Sequence, residues 1–144
     1  MPTKDELRLL GQPLRHRINS TLCHVDRALC ELEWQMESQG IHSVLYQANN
    51  TLSEETRAQF RERLRAIREV FTRIKVELGF EPEVQDIGHL IKNRCSFLQV
   101  DLLELEPRYL RGYGEPPAWL SEYLAPLMQE LIGLLGTGYL SSEG

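Results

Sequence analysis

His89, Lys92, Asn93 and Ser96 fall on one face of a single helical stretch. A histidine facing solvent on a bundle helix can accept a phosphoryl group through a ring nitrogen. A lysine one turn on can balance the incoming charge. His16, Cys23 and Cys30 form a second series, one every seven residues. Seven helical residues rise about 10.5 Å, which is beyond the reach of a shared metal ion. No ExxH or HExxH pair is present, so neither a di-iron site nor a zincin is supported. These three residues read as small, half-buried packing groups, and no metal or cofactor is expected. No Ser-His-Asp order or phosphate-cradling glycine loop can be traced, and Asp101 and Glu104 read as surface residues.

The run His89-Leu90-Ile91-Lys92-Asn93 resembles the phosphoacceptor helix of one branch of sensor histidine kinases, whose pattern is His, any residue, Val/Ile, Lys, Asn. The resemblance covers about five residues. It implies His89 as the phosphorylated residue and Asn93 as a hydrogen-bonding helper. Cys95 stands where leucine is usual. His89 with Lys92 is also loosely similar to histidine phosphotransfer domains. Those favour glycine and small residues after the lysine, whereas this chain has Asn93 and Arg94. No glycine-rich ATP lid accompanies the motif, so a complete histidine kinase is excluded. The other reading of His89, Lys92 and Asn93 is as ordinary solvated helix residues.

The elements that must position these groups are written in the hydrophobic spacing. Ile18, Leu22, Val25, Leu29, Leu32 and Met36 alternate four-three, as do Phe60, Leu64, Ile67, Phe71, Ile74 and Leu78. Such seams pack helix on helix. Leu120, Leu124, Leu127, Leu131 and Leu134 are nearly as regular. The series Ile87, Ile91, Cys95, Leu98, Leu102, Leu105 contains an extra four, a stutter beside His89. Capping boxes at Thr3–Glu6 and Thr51–Glu54 start helices. Gly40 and Gly79 suit helix ends, and Pro107 and Pro116–Pro117 bracket a connector. The spacing predicts helices over about 4–38, 52–79, 84–106 and 117–136, with a kink or break near Pro13 and Pro126. Residues 39–51 should fold back through Ile41, Val44, Leu45 and Tyr46. The tail after Gly136 should fray.

The fold class expected is therefore all-α: one domain over 1–144, an antiparallel four-helix bundle in up-down-up-down order. Charges on the first two helices predict an antiparallel hairpin, with Glu33 opposite Arg61, Asp26 opposite Arg68 and Asn19 opposite Lys75. The arginine-rich second helix, interleaved with glutamates, reads as an ion-pair face. Helices three and four carry apolar residues all round, including Leu90, Phe97, Val100, Trp119, Tyr123 and Ile132. That width points to a homodimer through them. The connector residues Arg108, Tyr109, Arg111 and Tyr113 either contact a protein partner or seal the bundle end.

Composition narrows the class. Residues 1–79 hold 12 Lys/Arg against 11 Asp/Glu, net +1; residues 80–144 hold 4 against 10, net −6. An acidic half argues against a general nucleic-acid binder. No apolar run could span a membrane, and the N-terminus does not read as a secretory signal. Three cysteines, with no CxxC pair, suit a reducing cytoplasm. The function expected is non-enzymatic: a small helical module that self-associates and binds a protein. The alternative is a phosphotransfer or kinase-dimerisation-like protein with His89 as acceptor.

Overall fold

The computed structural model describes residues 2–143, apart from the side chains of residues 8 and 141–143. Among these residues the chain is mostly helical, with six α-helices and one two-stranded sheet. It divides into two compact units, one up to Glu83 and one from Val84 onward.

The first unit opens with α1 (Lys4–Arg8), held by the expected capping box: Thr3 Oγ1 accepts from the Glu6 amide, and Glu6 accepts from the Thr3 amide. The chain then breaks, and α2 (Gln12–Glu37) restarts with Pro13 in its first turn, where the missing donor costs no bond. Helix α3 (Glu54–Leu78) ends on Gly79 at φ 67°, ψ 35°, the left-handed cap foreseen there. Helix α1 packs on α3, and α2 packs antiparallel to α3. Arg15 joins the open end of this hairpin. Its guanidinium donates to the Leu78 carbonyl and lies 5.3 Å from the Phe80 ring centroid.

The capping box at Thr51–Glu54 does not form. Ser53 is the N-cap, its Oγ accepting from the Thr56 amide at 3.1 Å. The reason is Asn50, whose side chain is drawn to the end of α2. Its Nδ2 donates to the carbonyls of Met36 (2.8 Å) and Ser38 (2.6 Å), and its Oδ1 accepts from the Leu52 amide. The chain therefore stays outside the helix through Leu52.

The linking segment is β1 (Ile41–His42) paired antiparallel with β2 (Gln47–Ala48). Ile41 and Ala48 are half-buried, but the turn between the strands points away. Val44 is 95% exposed and Leu45 98%, so these two do not fold back as expected. Four residues close the turn, with the Ser43 amide donating to the Tyr46 carbonyl, and that leaves the central pair no neighbour.

Gly40 enters this sheet at φ +107°, and a Cβ there would lie 2.7 Å from the Ala48 carbonyl oxygen. Gly40→Ala is expected to destabilise the first unit by about 1–3 kcal/mol. Urea denaturation should show the loss, and amide exchange should quicken first at residues 41–48.

The register of α2 against α3 also differs from expectation. Arg61 pairs with Glu37 (2.5 and 3.0 Å) and with Glu54 (2.8 Å), not with Glu33. Arg68 pairs with Glu33 (3.1 and 3.2 Å), not with Asp26. The antiparallel sense holds, and the pairs slide by one to two turns. Every Cα–Cβ bond tilts toward its own helix N-terminus. In an antiparallel pair, that tilt carries the α3 arginines toward later α2 residues and the α2 glutamates toward later α3 residues. Hydrogen bonds from Arg61 hold the Glu37 and Glu54 carboxyls below their ordinary range. The bond to Glu33 raises Arg68.

The second unit runs α4 (Ile87–Leu103), α5 (Pro107–Leu110), a 3-10 turn (Arg111–Tyr113), α6 (Ala118–Leu134) and a 3-10 turn (Gly138–Glu143). Helix α4 is shorter than expected. The amides of Glu104, Leu105 and Glu106 bond three residues back, tightening the chain before Pro107. Helix α6 runs through Pro126 unbroken. The 3-10 turn Gly138–Glu143 packs against α4, where a frayed tail was expected. Helices α4 and α6 pack together, and Gln99 Nε2 donates to the Ile132 carbonyl at 2.8 Å.

Candidate functional site

The face carrying His89 on α4 is open. His89, Asn93 and Ser96 are exposed, and Lys92 is half-buried. Ser96 Oγ donates to the Lys92 carbonyl at 3.0 Å, a local bond that leaves the backbone helical. Among the described residues no side chain bonds the His89 imidazole. The four residues thus share a surface, as their spacing implies, but they are a solvated helix face rather than a pocket.

The connector residues behave differently from one another. Arg108 Nε pairs with Glu106 at 3.0 Å, and its guanidinium sits 4.7 Å from the Tyr109 ring centroid. Arg111 is exposed, and Tyr113 stands 93% exposed. Pro107 and Leu110, not the tyrosines, line a 230 Å³ cavity with Leu102, Leu124 and Met128 at this end of the second unit. The tyrosines therefore do not seal it.

His16 is exposed. Cys23 and Cys30 share a 410 Å³ cleft on the first unit with Asp26, Arg68, Phe71 and Phe80. Cys23 Sγ is 3.6 Å from Asn19 Oδ1, and Cys30 Sγ is 3.9 Å from Arg68 Nη2. Cys95 is half-buried on α4. Among the described residues no group of three His, Cys, Asp or Glu is placed to hold a metal ion. A second cleft of 420 Å³ lies where Ile41, Tyr46 and Ala48 approach Met36 and Phe60.

The larger feature is apolar. Among the described residues of the first unit three side chains are buried: Met36, Leu64 and Leu78. Among the described residues of the second unit none is buried. At 100° per residue, one side of each helix, roughly 80° round from its hairpin neighbour, is apolar and uncovered. On α2 this side holds Leu14, Val25 and Leu32, and on α3 Ile67 and Val70. On α4 it holds Ile87, Ile91 and Leu98, with Leu105 just beyond the helix end and Phe97 about 100° further round. On α6 it holds Tyr123, Leu127, Leu131 and Leu134. Because the helices of each hairpin run antiparallel, the equal offsets place both apolar sides on the same surface of the hairpin. Each unit is thus a helical hairpin with one apolar face open to solvent. Spacing alone did not find these faces, because the four-three seams merge contact and open positions.

No known protein family, curated protein or solved structure matches this chain. No helix among the described residues is long and apolar enough to cross a membrane.

Proposed function

We propose that this protein is a non-enzymatic helical module that self-associates and presents its remaining surface to a protein partner. The observation that supports this reading most is the open apolar face of each hairpin. The chain exposes 11967 Å². Two separate compact bodies of the same masses would expose roughly 9,000 Å² in total. The excess, about 3,000 Å² per chain and so about 6,000 Å² for two chains, is at the upper end of what obligate dimers bury in total. A four-helix bundle is the arrangement that covers such faces, because two hairpins laid face to face bury both stripes in one core. The assembly proposed is a homodimer through α4 and α6. Three free thiols support a reducing compartment such as the cytoplasm. The exposed Tyr113, beside Arg111 and the Arg108–Tyr109 pair, is the surface offered to a partner.

Light scattering at tens of micromolar tests the reading. The expected mass is twice 16.7 kDa. A monomeric mass would overturn it.

The exposure of His89 favours a second reading, a phosphoacceptor with Lys92 and Asn93 as its helpers. Incubation with an acyl phosphate is then expected to add one acid-labile phosphoryl group, which His89→Gln abolishes. No mass increment on the native protein would remove this reading and leave the first intact.

A further inference from the structure

We propose that the second copy meets this chain across α4, antiparallel, on a twofold axis at Phe97 and Leu98, with Arg94 of each chain paired with the partner subunit's Asp101. The proposal rests on the self-association reading above and adds where and in which register the copies meet.

Three observations carry it. The first is the open apolar surface of α4. Ile87, Ile91, Phe97 and Leu98 are all exposed, Phe97 by 69%. This is apolar cover missing from one helix, not a scatter of single residues.

The second is the charge on that surface. Arg94 and Asp101 are seven residues apart, so both lie on one stripe of α4, and Phe97 and Leu98 lie midway between them. A twofold interface must be self-complementary: whatever residue i meets, its equivalent meets i in return. Antiparallel pairing about the midpoint of Phe97 and Leu98 sets Arg94 against the partner subunit's Asp101, and does so twice. Parallel pairing would instead oppose arginine to arginine and aspartate to aspartate. Each ion pair lies about 5 Å along the helix from the axis, within reach of arginine across helices 8–10 Å apart.

The third is that, among the described residues, these two charges have no opposite charge beside them. Arg57, Arg61, Arg65, Arg68 and Arg108 each have a carboxylate within 4 Å. Among the described residues Arg94 has no carboxylate, and Asp101 no cation, within that distance. Helix α6, the other half of the hairpin, carries only Glu122 and Glu130 as charges. Two copies of α6 across an axis would bring only like charges together, whereas α4 carries both signs.

The test is a charge swap on the full chain, read as the dimer dissociation constant over a dilution series. Arg94→Asp and Asp101→Arg each create like-charge pairs and are expected to weaken the dimer at least about tenfold. The double variant restores opposite pairs and is expected to return to within about threefold of the native constant. Both positions are exposed, so the far-UV circular dichroism of all three variants should match the native protein. A native dimer indifferent to both single swaps, or a double variant no tighter than the singles, overturns the α4 axis while self-association stands. A native protein that is monomeric throughout the series overturns both.

Discussion

Leu64→Ala is expected to destabilise the protein by about 2–5 kcal/mol, the range for a leucine emptied from a packed interior. Leu64 is 1% exposed, the one described side chain that is essentially sealed. It sits midway along α3 on the side facing α2, and the neighbouring turns carry Arg61 and Arg68, tied to Glu37 and Glu33. Those ties hold the two helices at a set spacing, so the cavity left by alanine cannot collapse fully. The loss should appear as a lower urea midpoint with an unchanged slope, followed at 222 nm at one fixed protein concentration. A change under 1 kcal/mol would mean that the α2–α3 contact is not the stabilising core of the first unit.

The second large effect is expected at the open face of the other hairpin. Leu127→Glu should convert the dimer to monomers. Leu127 is 39% exposed, so covering the rest of it on assembly contributes about 0.6–1.2 kcal/mol, and a dimer contains two copies. Removing both costs about 1–2.5 kcal/mol, a factor on the order of 10–10² in the dissociation constant, and desolvating two unpaired glutamate carboxylates adds several kcal/mol more. In the separate chain Leu127 is already exposed, so the glutamate meets water and the helix should persist. Scattering mass should halve while helical content is retained. A dimer of native strength in Leu127→Glu would exclude the α4–α6 face as the interface.

The parts of the fold that were legible in advance are those decided by local chemistry. The Thr3–Glu6 box, the restart at Pro13, the left-handed cap at Gly79 and the start of α6 after Pro117 each depend on a few adjacent residues. The antiparallel sense of α2 and α3 was also legible, because their seams have matching lengths and opposite charges. Its register was not, since numbering opposite positions ignores the tilt of every Cβ toward the helix N-terminus. Ser53 displaced Thr51 as the cap because Asn50 makes long-range bonds that no local pattern records. The two-residue strands at 41–42 and 47–48 are too short to show a period. For the candidate site, the shared face of His89, Asn93 and Ser96 follows from helical spacing. Its openness does not, nor does the separation of contact residues such as Gln99 and Leu102 from the open stripe of Ile91 and Leu98. Both depend on which side of α4 meets α6.

Asn50 gives the first unit a chemical weak point. One amide nitrogen supplies both hydrogens that hold the carbonyls of Met36 and Ser38. Hydrolysis of that amide to a carboxylate changes no backbone atom and almost no volume. It nevertheless leaves an acceptor facing two acceptors, with a negative charge at the carbonyl end of α2, where the helix dipole is already unfavourable to it. The strand pair and the start of α3 would lose their tether together. Ageing of a single side chain would thus loosen the turn that closes the hairpin while both long helices stayed intact.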